Sequence, residues 1–327
     1  MAPRVTIVIV TWNSEQYIAR CLAGVKAQRY TDSELIIVDN GSGDNTRALV
    51  KEHAPQAQLI SNKNNVGFTK ASNQGILASR GEFIFSLNPD VFLEPDFLNE
   101  LVDLLSSSKG YGAVGGKLLL YREGQVPDVI DSTGLFTNRG LRAVDRGNRE
   151  IDRGQHDTSG PVFALCGAAV LFRREALERI KIADEFFDEE FFAYYDDLDV
   201  GWRLQLAGYD IGYTPLARAY HVRGGSGLGD TFFRKIPAMQ RITMRNRYLV
   251  LIKNLSVVNA VLFAPALLLV EAGIVAYTVF RAPHLWRAYW DVLTRLPAMY
   301  RKRRIIQSER VRDSRYIRRW ISTTRYG

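Results

Sequence analysis

The chain has 327 residues, 46% of them hydrophobic and 24% charged, ordinary values for a globular protein that set aside a disordered polymer. The net charge of +8 is uneven: residues 281–327 hold 13 Lys and Arg against 3 Asp and Glu, leaving 30 against 32 elsewhere. A basic tail on a near-neutral body points to an anionic surface partner, either lipid headgroups or nucleic acid. Cys21 and Cys166 have neither a CxxC partner nor metal-like spacing, which fits a reducing compartment. No signal peptide is visible, because the apolar run Val5–Val10 is short and meets polar residues at once.

In chain order, Val5–Val10 is a β-branched run that predicts a strand. Asn13 or Ser14 can cap a helix whose Ile18, Leu22 and Val25 share one face. Glu34–Val38 reads as a buried strand, Thr46–Glu52 as a helix and Gln58–Ser61 as a short strand. A polar turn over Asn62–Gly67 leads into a helix at Thr69–Ser79. Phe83–Leu87 is the clearest element, an apolar strand buried on both faces and stopped by Asn88-Pro89-Asp90. This alternation predicts parallel strands joined by right-handed crossovers. Tyr111–Pro161, rich in Gly, Arg and Asp, reads as loops with short strands. Phe163–Phe172 reads as a strand, Asp197–Ala207 as a helix ended by Gly208, and Asp210–Tyr213 as a short strand leading to His221.

Beyond Pro237 the character changes. Val257–Phe280 is 24 mostly apolar residues, interrupted by Asn259, Pro265 and Glu271, and long enough to span a bilayer. Arg234, Lys235, Arg241, Arg245, Arg247 and Lys253 precede it and the basic tail follows it. Basic clusters on both sides argue against one crossing and for a re-entrant or in-plane hairpin. Trp286, Tyr289, Trp290, Leu293 and Leu296 then fall at helical spacing among Arg287 and Arg295, the pattern of an interfacial amphipathic helix or of a core-packing one. The expected organisation is an α/β domain over 1–235 and a helical, basic and apolar, membrane-associating region over 236–327.

In open α/β sheets the ligand crevice lies at the carboxyl edge of the strands. Thr11 and Asn13 fall there, after the first strand. Asp39, with Asn40, Ser42 and Asp44, follows the second; a carboxylate there can accept from a pyrimidine N–H or a ribose hydroxyl, and a capping turn explains the same residues. In Asn65-Val66-Gly67-Phe68 the glycine permits close approach of backbone to a ligand. Asp90 can hold a divalent cation against a substrate phosphate, although Asn-Pro-Asp is also good turn chemistry. Tyr194-Tyr195-Asp196-Asp197-Leu198-Asp199 sets acids in a first helical turn, which the macrodipole favours; adjacent acids also repel, which raises one pKa toward that of a general base. His221, with Arg223 and the Gly224-Gly225-Ser226 run, is either a structural histidine or part of a metal–diphosphate site. No G-x-G-x-x-G follows the first strand, no Walker lysine motif is present, and Gly225–Gly229 has the spacing of neither.

In this order the pieces resemble family 2 glycosyltransferases with the GT-A fold, and within them the bacterial rhamnosyltransferase-like branch that builds surface polysaccharides. The matching stretches are Val8–Asn13, Val38–Ser42, Asn65–Phe68, Leu87–Asp90, the acidic cluster Tyr195–Asp199 leading to Arg203, and His221. The resemblance implies a Rossmann-like, mixed and mainly parallel sheet flanked by helices, followed by the C-terminal helical segment. It implies Thr11, Asn13 and Asp39 at the nucleotide base and ribose, with Asn65 and Asn73 nearby. Asn88-Pro89-Asp90 stands in place of a metal-binding Asp-x-Asp, so Asp90, with His221, would hold Mg²⁺ or Mn²⁺ on the donor diphosphate. Asn88 removes one charge from that site and implies weaker metal binding. Arg223 would meet the departing diphosphate, Asp197 would be the catalytic base, and Cys166-Gly167-Ala168 would lie on the acceptor side.

The implied reaction is inverting transfer of a sugar, first choice rhamnose from dTDP-rhamnose, to a polyprenyl-diphosphate-linked glycan. Its implied setting is the cytoplasmic face of the inner membrane, in cell-surface polysaccharide and cell-wall synthesis. Donors carrying a UDP-hexose, UDP-galactofuranose or GDP-sugar stay open, as does the oligomeric state. A non-catalytic nucleotide-sugar-binding or membrane-scaffold protein of the same fold is the competing expectation; Asn88 leaves room for it and Asp197 argues against it. The apolar segment beside the tail makes lipid, and not nucleic acid, its expected partner.

Overall fold

The computed structural model describes residues 4–124, 128–223 and 232–321. The Gly224–Gly229 run, the Arg234 side chain and residues 322–327 lie outside the described residues. The first half alternates as expected: β1 (Val5–Thr11), α1 (Ile18–Lys26), β2 (Ser33–Asp39), α2 (Thr46–His53), β3 (Gln58–Ser61), α3 (Phe68–Ala78) and β4 (Phe83–Leu87). Strands β4, β1, β2 and β3 pair in parallel, and every residue of β1 and β4 is buried. Apolar side chains on both faces are what a sheet covered by helices on each side requires. Thr11 is the register partner of Asp39, so both reach the same carboxyl edge.

Next come β5 (Val91–Leu93), α4 (Phe97–Ser107), β6 (Tyr111–Leu120), β7 (Ile130–Ser132), β8 (Leu135–Thr137), β9 (Ala143–Asp145), β10 (Gly160–Val162) and β11 (Ala169–Arg173). They are followed by α5 (Arg174–Ile180), α6 (Asp196–Leu206) and β12 (Asp210–His221). The large sheet runs β10-β12-β6-β11-β4-β1-β2-β3, with β11 antiparallel to both its neighbours and β12 parallel to β6. It is a mixed, mainly parallel sheet flanked by helices.

Three expectations change here. Tyr111–Leu120, read as part of a stretch of loops with short strands, is a ten-residue central strand. Its glycines are there for close packing: a Cβ on Gly116 would lie 2.2 Å from the Ala217 carbonyl oxygen, and one on Gly115 would lie 2.7 Å from Leu165. Its buried Lys117 is neutralised by Asp152 and Asp157. The strand expected over Phe163–Phe172 is confined to β11, and its first half turns at the sheet edge. Strand β12 continues past Tyr213 to His221 because a bulge between Thr214 and Arg218 absorbs Pro215.

Helices α7 (Pro237–Asn254), α8 (Val257–Leu262), α9 (Ala264–Phe280), α10 (Trp286–Ser308) and α11 (Ser314–Arg318) complete the chain. Leu249, Val250, Met299, Ile306 and Trp320 share one core with Phe163, Leu198 and Trp202, so residues 236–321 pack into the α/β region. Beneath that core runs a buried ionic network. Lys253, fully buried on α7, donates to Asp188 and Asp199; Lys302 on α10 donates to Asp188 at 2.6 Å; and Arg203 reaches Asp199 at 2.9 Å.

No single helix among the described residues is long and apolar enough to cross a membrane. Helix α9 and the segment Pro283–Ser308 are bent at 119° to one another. Glu271, the acid inside the apolar stretch, is held by Arg247 and Tyr248 of α7. The opposite face of α9 is bare, with Leu268, Leu269 and Phe280 at 69, 76 and 80% exposure. Trp286, Trp290 and Leu293 continue the exposed apolar surface onto α10, while Ala288, Val292 and Met299 face inward.

Removing one partner from a buried ion pair leaves an uncompensated charge, which costs about 3–5 kcal/mol, whereas an exposed pair is worth under about 1 kcal/mol. Lys253→Met is therefore expected to lower unfolding free energy by several kcal/mol in chemical denaturation, and Arg29→Ala, which breaks the exposed pair with Asp96, to change it little. Equal losses in the two variants would show that the network carries no special weight. A chain ending at residue 235 would uncover the shared core and is expected to be insoluble.

Candidate active site

At the first two strand ends the side chains are tied to one another. The Thr11 hydroxyl donates to Asp39 Oδ1 at 3.3 Å, and Asp39 Oδ2 accepts the Ser42 N–H at 3.2 Å. Arg47 lies 3.7 Å from the same carboxylate. Asn13 takes a left-handed conformation at φ 49° and is exposed. Its N–H donates to Ser42 Oγ, and its Oδ1 accepts the Gly43 N–H at 2.9 Å. Neither it nor Ser14 caps α1, which begins at Ile18. Trp12, between Thr11 and Asn13 in sequence, is 54% exposed and offers a free aromatic face. Such a face can stack on a base.

Asn65 works on the protein itself. Its Oδ1 accepts from Asn40 Nδ2 and from the Gly67 N–H, both at 2.9 Å, and so shapes the loop before α3. Gly67, expected to admit a ligand, instead admits Phe192: a Cβ at its φ of +93° would lie 2.6 Å from that ring. Asn73 is buried with both ends of its amide on the Phe187 backbone, so it faces no ligand.

The end of β4 meets the end of β12 through β5, because Val91 is the register partner of His221. That pairing sets Asp90 beside His221, with His221 Nε2 at 3.5 Å from Asp90 Oδ1. On its other side His221 Nδ1 lies 2.8 Å from Asp131 Oδ2. Burial works against charge on the imidazole, but hydrogen bonds to Asp131 and Asp90 overcome it and push its pKa up to about 9. Asp131 also accepts from Arg223, which reaches Asp145 at 3.4 Å. Burial lifts Asp145 to about 6 against the pull of Arg223. The Cys166 thiol packs here too, within 4.8 Å of the ligand atoms of Asp131 and His221, and burial holds it well above the usual thiol range.

Asn88 is half-buried one turn before Asp90, its N–H on the Ala168 carbonyl. An oxygen from Asp90 and a nitrogen from His221 form a donor set that suits Mn²⁺ or Mg²⁺, and a carboxylate behind the imidazole is the usual support for a ligating histidine. The residues present therefore fit a divalent cation.

Asp197 stands on the first turn of α6, half-buried. Its carboxylate accepts N–H groups from Leu198 at 2.7 Å and from Gly167 at 3.3 Å, which links it to the Cys166–Gly167 turn. Asp196 beside it is buried. Burial pushes both carboxyls above their ordinary range; Asp197 adds its repulsion to Asp196, while backbone N–H groups and then Arg223 moderate Asp197 itself. The chain reaches α6 through Phe192, Tyr194 and Tyr195, all in the left-handed region at φ 65–68°. Bulky residues rarely adopt that region, and α7 enforces it: the Asn246 amide meets the carbonyls of Phe191, Ala193 and Tyr194, and Arg245 those of Glu190 and Phe191. A cavity of about 610 Å³ opens from Asp197 and Asp145 toward α7 and α9.

Sequence reasoning placed Thr11, Asp39, Asn88, Asp90, His221, Arg223 and Asp197 at this edge, and the fold brings all of them there. It missed Asp131 and Asp145, which lie in the stretch read as loops with short strands; their acidity was the only signal.

The chain matches the glycosyl transferase family 2 model over residues 6–181. It is 28% identical over 240 residues to an N-acetylglucosaminyl-diphospho-decaprenol L-rhamnosyltransferase of Mycobacterium tuberculosis, covering 67% of this chain and 76% of that one. An Escherichia coli chondroitin synthase is 39% identical over 104 residues, 31% of this chain, but the match spans only 15% of that relative. Among solved structures, S. aureus TarS 1-349 in complex with UDP superposes with a TM-score of 0.58 at 15% identity, covering 94% of this chain and 87% of that one. GalNAc-T7 with UDP, GalNAc and Mn²⁺ gives a TM-score of 0.57 at 13% identity, covering 76% and 47%. The family match covers more than half of the chain, which belongs to glycosyl transferase family 2.

Proposed function

We propose that the protein is an inverting, metal-dependent glycosyltransferase that moves a sugar from a nucleotide-sugar donor to a polyprenyl-diphosphate-linked glycan at the cytoplasmic face of the membrane. The observation that carries this reading is a half-buried carboxylate, Asp197, at the head of a large cavity and across the Cys166–Gly167 turn from the Asp90–His221 pair. Rhamnose from dTDP-rhamnose is the first choice of donor, supported by the decaprenol-linked relative that the chain resembles over most of both lengths.

In this reading Asp39, with Thr11 behind it, accepts from the base or ribose, Asn13 and Asn65 shape the loops around it, and Trp12 offers a stacking face. Asn88 lies at the donor diphosphate, and Asp90 and His221 hold the cation. A bound Mg²⁺ or Mn²⁺ would supply positive charge to the donor diphosphate. Asp197 takes the proton of an acceptor hydroxyl while that oxygen forms its bond to the sugar C1. The C1–oxygen bond to the diphosphate breaks in the same displacement, and its electron pair leaves with the nucleotide, near Arg223. The bare face of α9 and the Trp286–Trp290 stripe would lie in the headgroup region, which suits monotopic attachment.

Screening nucleotide sugars with and without EDTA should reveal turnover with one donor that EDTA abolishes; no turnover with any donor, with or without lipid acceptor, would remove the enzyme reading. Asp197→Asn should reduce transfer by at least ~10³-fold while nucleotide binding survives, as expected for a lost general base acting in a concerted displacement. A base works deprotonated, so transfer should fall as pH drops through a pKa above the ordinary carboxylate range. Arg223 lowers the pKa of Asp197, so Arg223→Gln removes that positive charge and should move the acid limb to higher pH. An unmoved limb would show that the titrating group lies elsewhere.

For the membrane surface, the full-length protein should co-sediment with vesicles containing phosphatidylglycerol more than with phosphatidylcholine alone, and less so in high salt. Trp286→Glu with Trp290→Glu should abolish sedimentation. Binding unchanged by those substitutions would move the membrane face away from α10.

A further inference from the structure

We infer that the cavity between Asp197 and α9 is a binding groove for the diphosphate and the first isoprene units of a lipid-linked acceptor. This inference rests on the transfer reading above and names the part of the site that would hold the acceptor's lipid end.

The chemistry of the walls changes along the groove. Asp197 and Asp145 mark its inner end. Arg142 and Arg247 come next, both close enough to act on the Tyr195 hydroxyl, and Lys235 lies 3.4 Å from the Tyr194 ring centre. Phe232, Ile274 and Tyr277 make the outer walls. Leu269 belongs to the groove and is also 76% exposed on the bare face of α9, so the outer end opens onto the apolar surface proposed to meet the membrane. A carboxylate, cations and apolar walls in one groove match the chemistry of a sugar, a diphosphate and a prenyl chain.

Two groove-lining residues also carry polar atoms without partners among the described residues. Arg247 is 95% buried, yet its Nε–H has no hydrogen-bond partner among the described residues, although its Nη1 pairs with Glu271. The Thr243 hydroxyl is buried and equally without one. Buried donors left unpaired are rare and cost about 1–3 kcal/mol each, and both belong to residues that line the groove. Arg142 is exposed at the same place, and apart from its electrostatic pull on Tyr195 no hydrogen bond or ion pair among the described residues engages its side chain. Gly273, inside α9, completes the slot: a Cβ there would meet nothing within 4 Å. Glycine inside a helix is disfavoured by about 1 kcal/mol relative to alanine, and here it leaves open space.

The test uses the full-length protein in detergent with EDTA present, so that a diphosphate cannot bind through a cation at Asp90. Farnesyl diphosphate is the probe, with farnesol and inorganic pyrophosphate as its two halves, followed by calorimetry. Farnesyl diphosphate should bind at least tenfold more tightly than either half. Arg142→Glu and Gly273→Leu should each weaken it at least tenfold. Thr243→Val should weaken it less, and nucleotide binding, measured with Mn²⁺, should be retained in all three. Undiminished affinity in both Arg142→Glu and Gly273→Leu would overturn the groove, as would displacement of farnesyl diphosphate by dTDP or UDP. Loss of nucleotide binding in the unmodified protein would instead strike the transferase reading and leave the groove standing.

Discussion

Helix α7 fixes the geometry of the catalytic edge. Three bulky residues before α6 sit in the left-handed region, at a cost of about 1–3 kcal/mol each, and such strain persists only when surrounding contacts over-determine it. Asn246 and Arg245 supply those contacts by taking up the carbonyls that the turn leaves without partners. Lys253 then ties Asp199, one turn into α6, to Asp188 ahead of the strained segment. On a helix, residues two apart point to nearly opposite sides. Asp199 can therefore be locked inside while Asp197 looks into the cavity. The acidic cluster is divided between Asp199, anchored by Lys253 of the C-terminal helices, and Asp197, which lines the cavity.

This arrangement makes residues 236–321 part of the catalytic scaffold. The same α7 that grips the 191–195 turn also holds α9 through Arg247, Tyr248 and Glu271. A surface event on α9 is thus two packed contacts away from the turn that carries Asp197. In the proposed reading, membrane attachment and transfer share one rigid element instead of being joined by a linker.

The parallel half was legible because strands buried on both faces become uninterrupted apolar runs, and β1, β2 and β4 match their expected spans closely. The Thr11–Asp39 edge followed from that, since parallel register delivers consecutive strand ends to one side. Strand β6 was hidden by the glycines and the lysine that its crowded position demands, and β12 by a proline that a bulge accommodates. Asp131 was invisible for a different reason: its role comes from contacts 90 and 92 residues away in sequence, with His221 and Arg223. Local patterns carry no trace of such a partner. Asn73 shows the converse, because an amide near the right motif is consumed by the Phe187 backbone.

The pieces at the strand ends alternate in charge, from Asp90 through His221, Asp131 and Arg223 to Asp145 and Asp197. Each buried charge has an opposite neighbour, which is the condition under which low dielectric strengthens a network instead of expelling it. Asn88 contributes no charge at the Asp90 end, where the series already holds four carboxyls against two cationic side chains. With Asn88 neutral, a divalent cation at Asp90 and His221 would find one carboxylate, and the donor diphosphate itself would have to supply the remaining negative charge. Metal and donor would then bind as a pair. In the proposed reading the neutral Asn88 would couple the two bindings, and the substrate would complete the site.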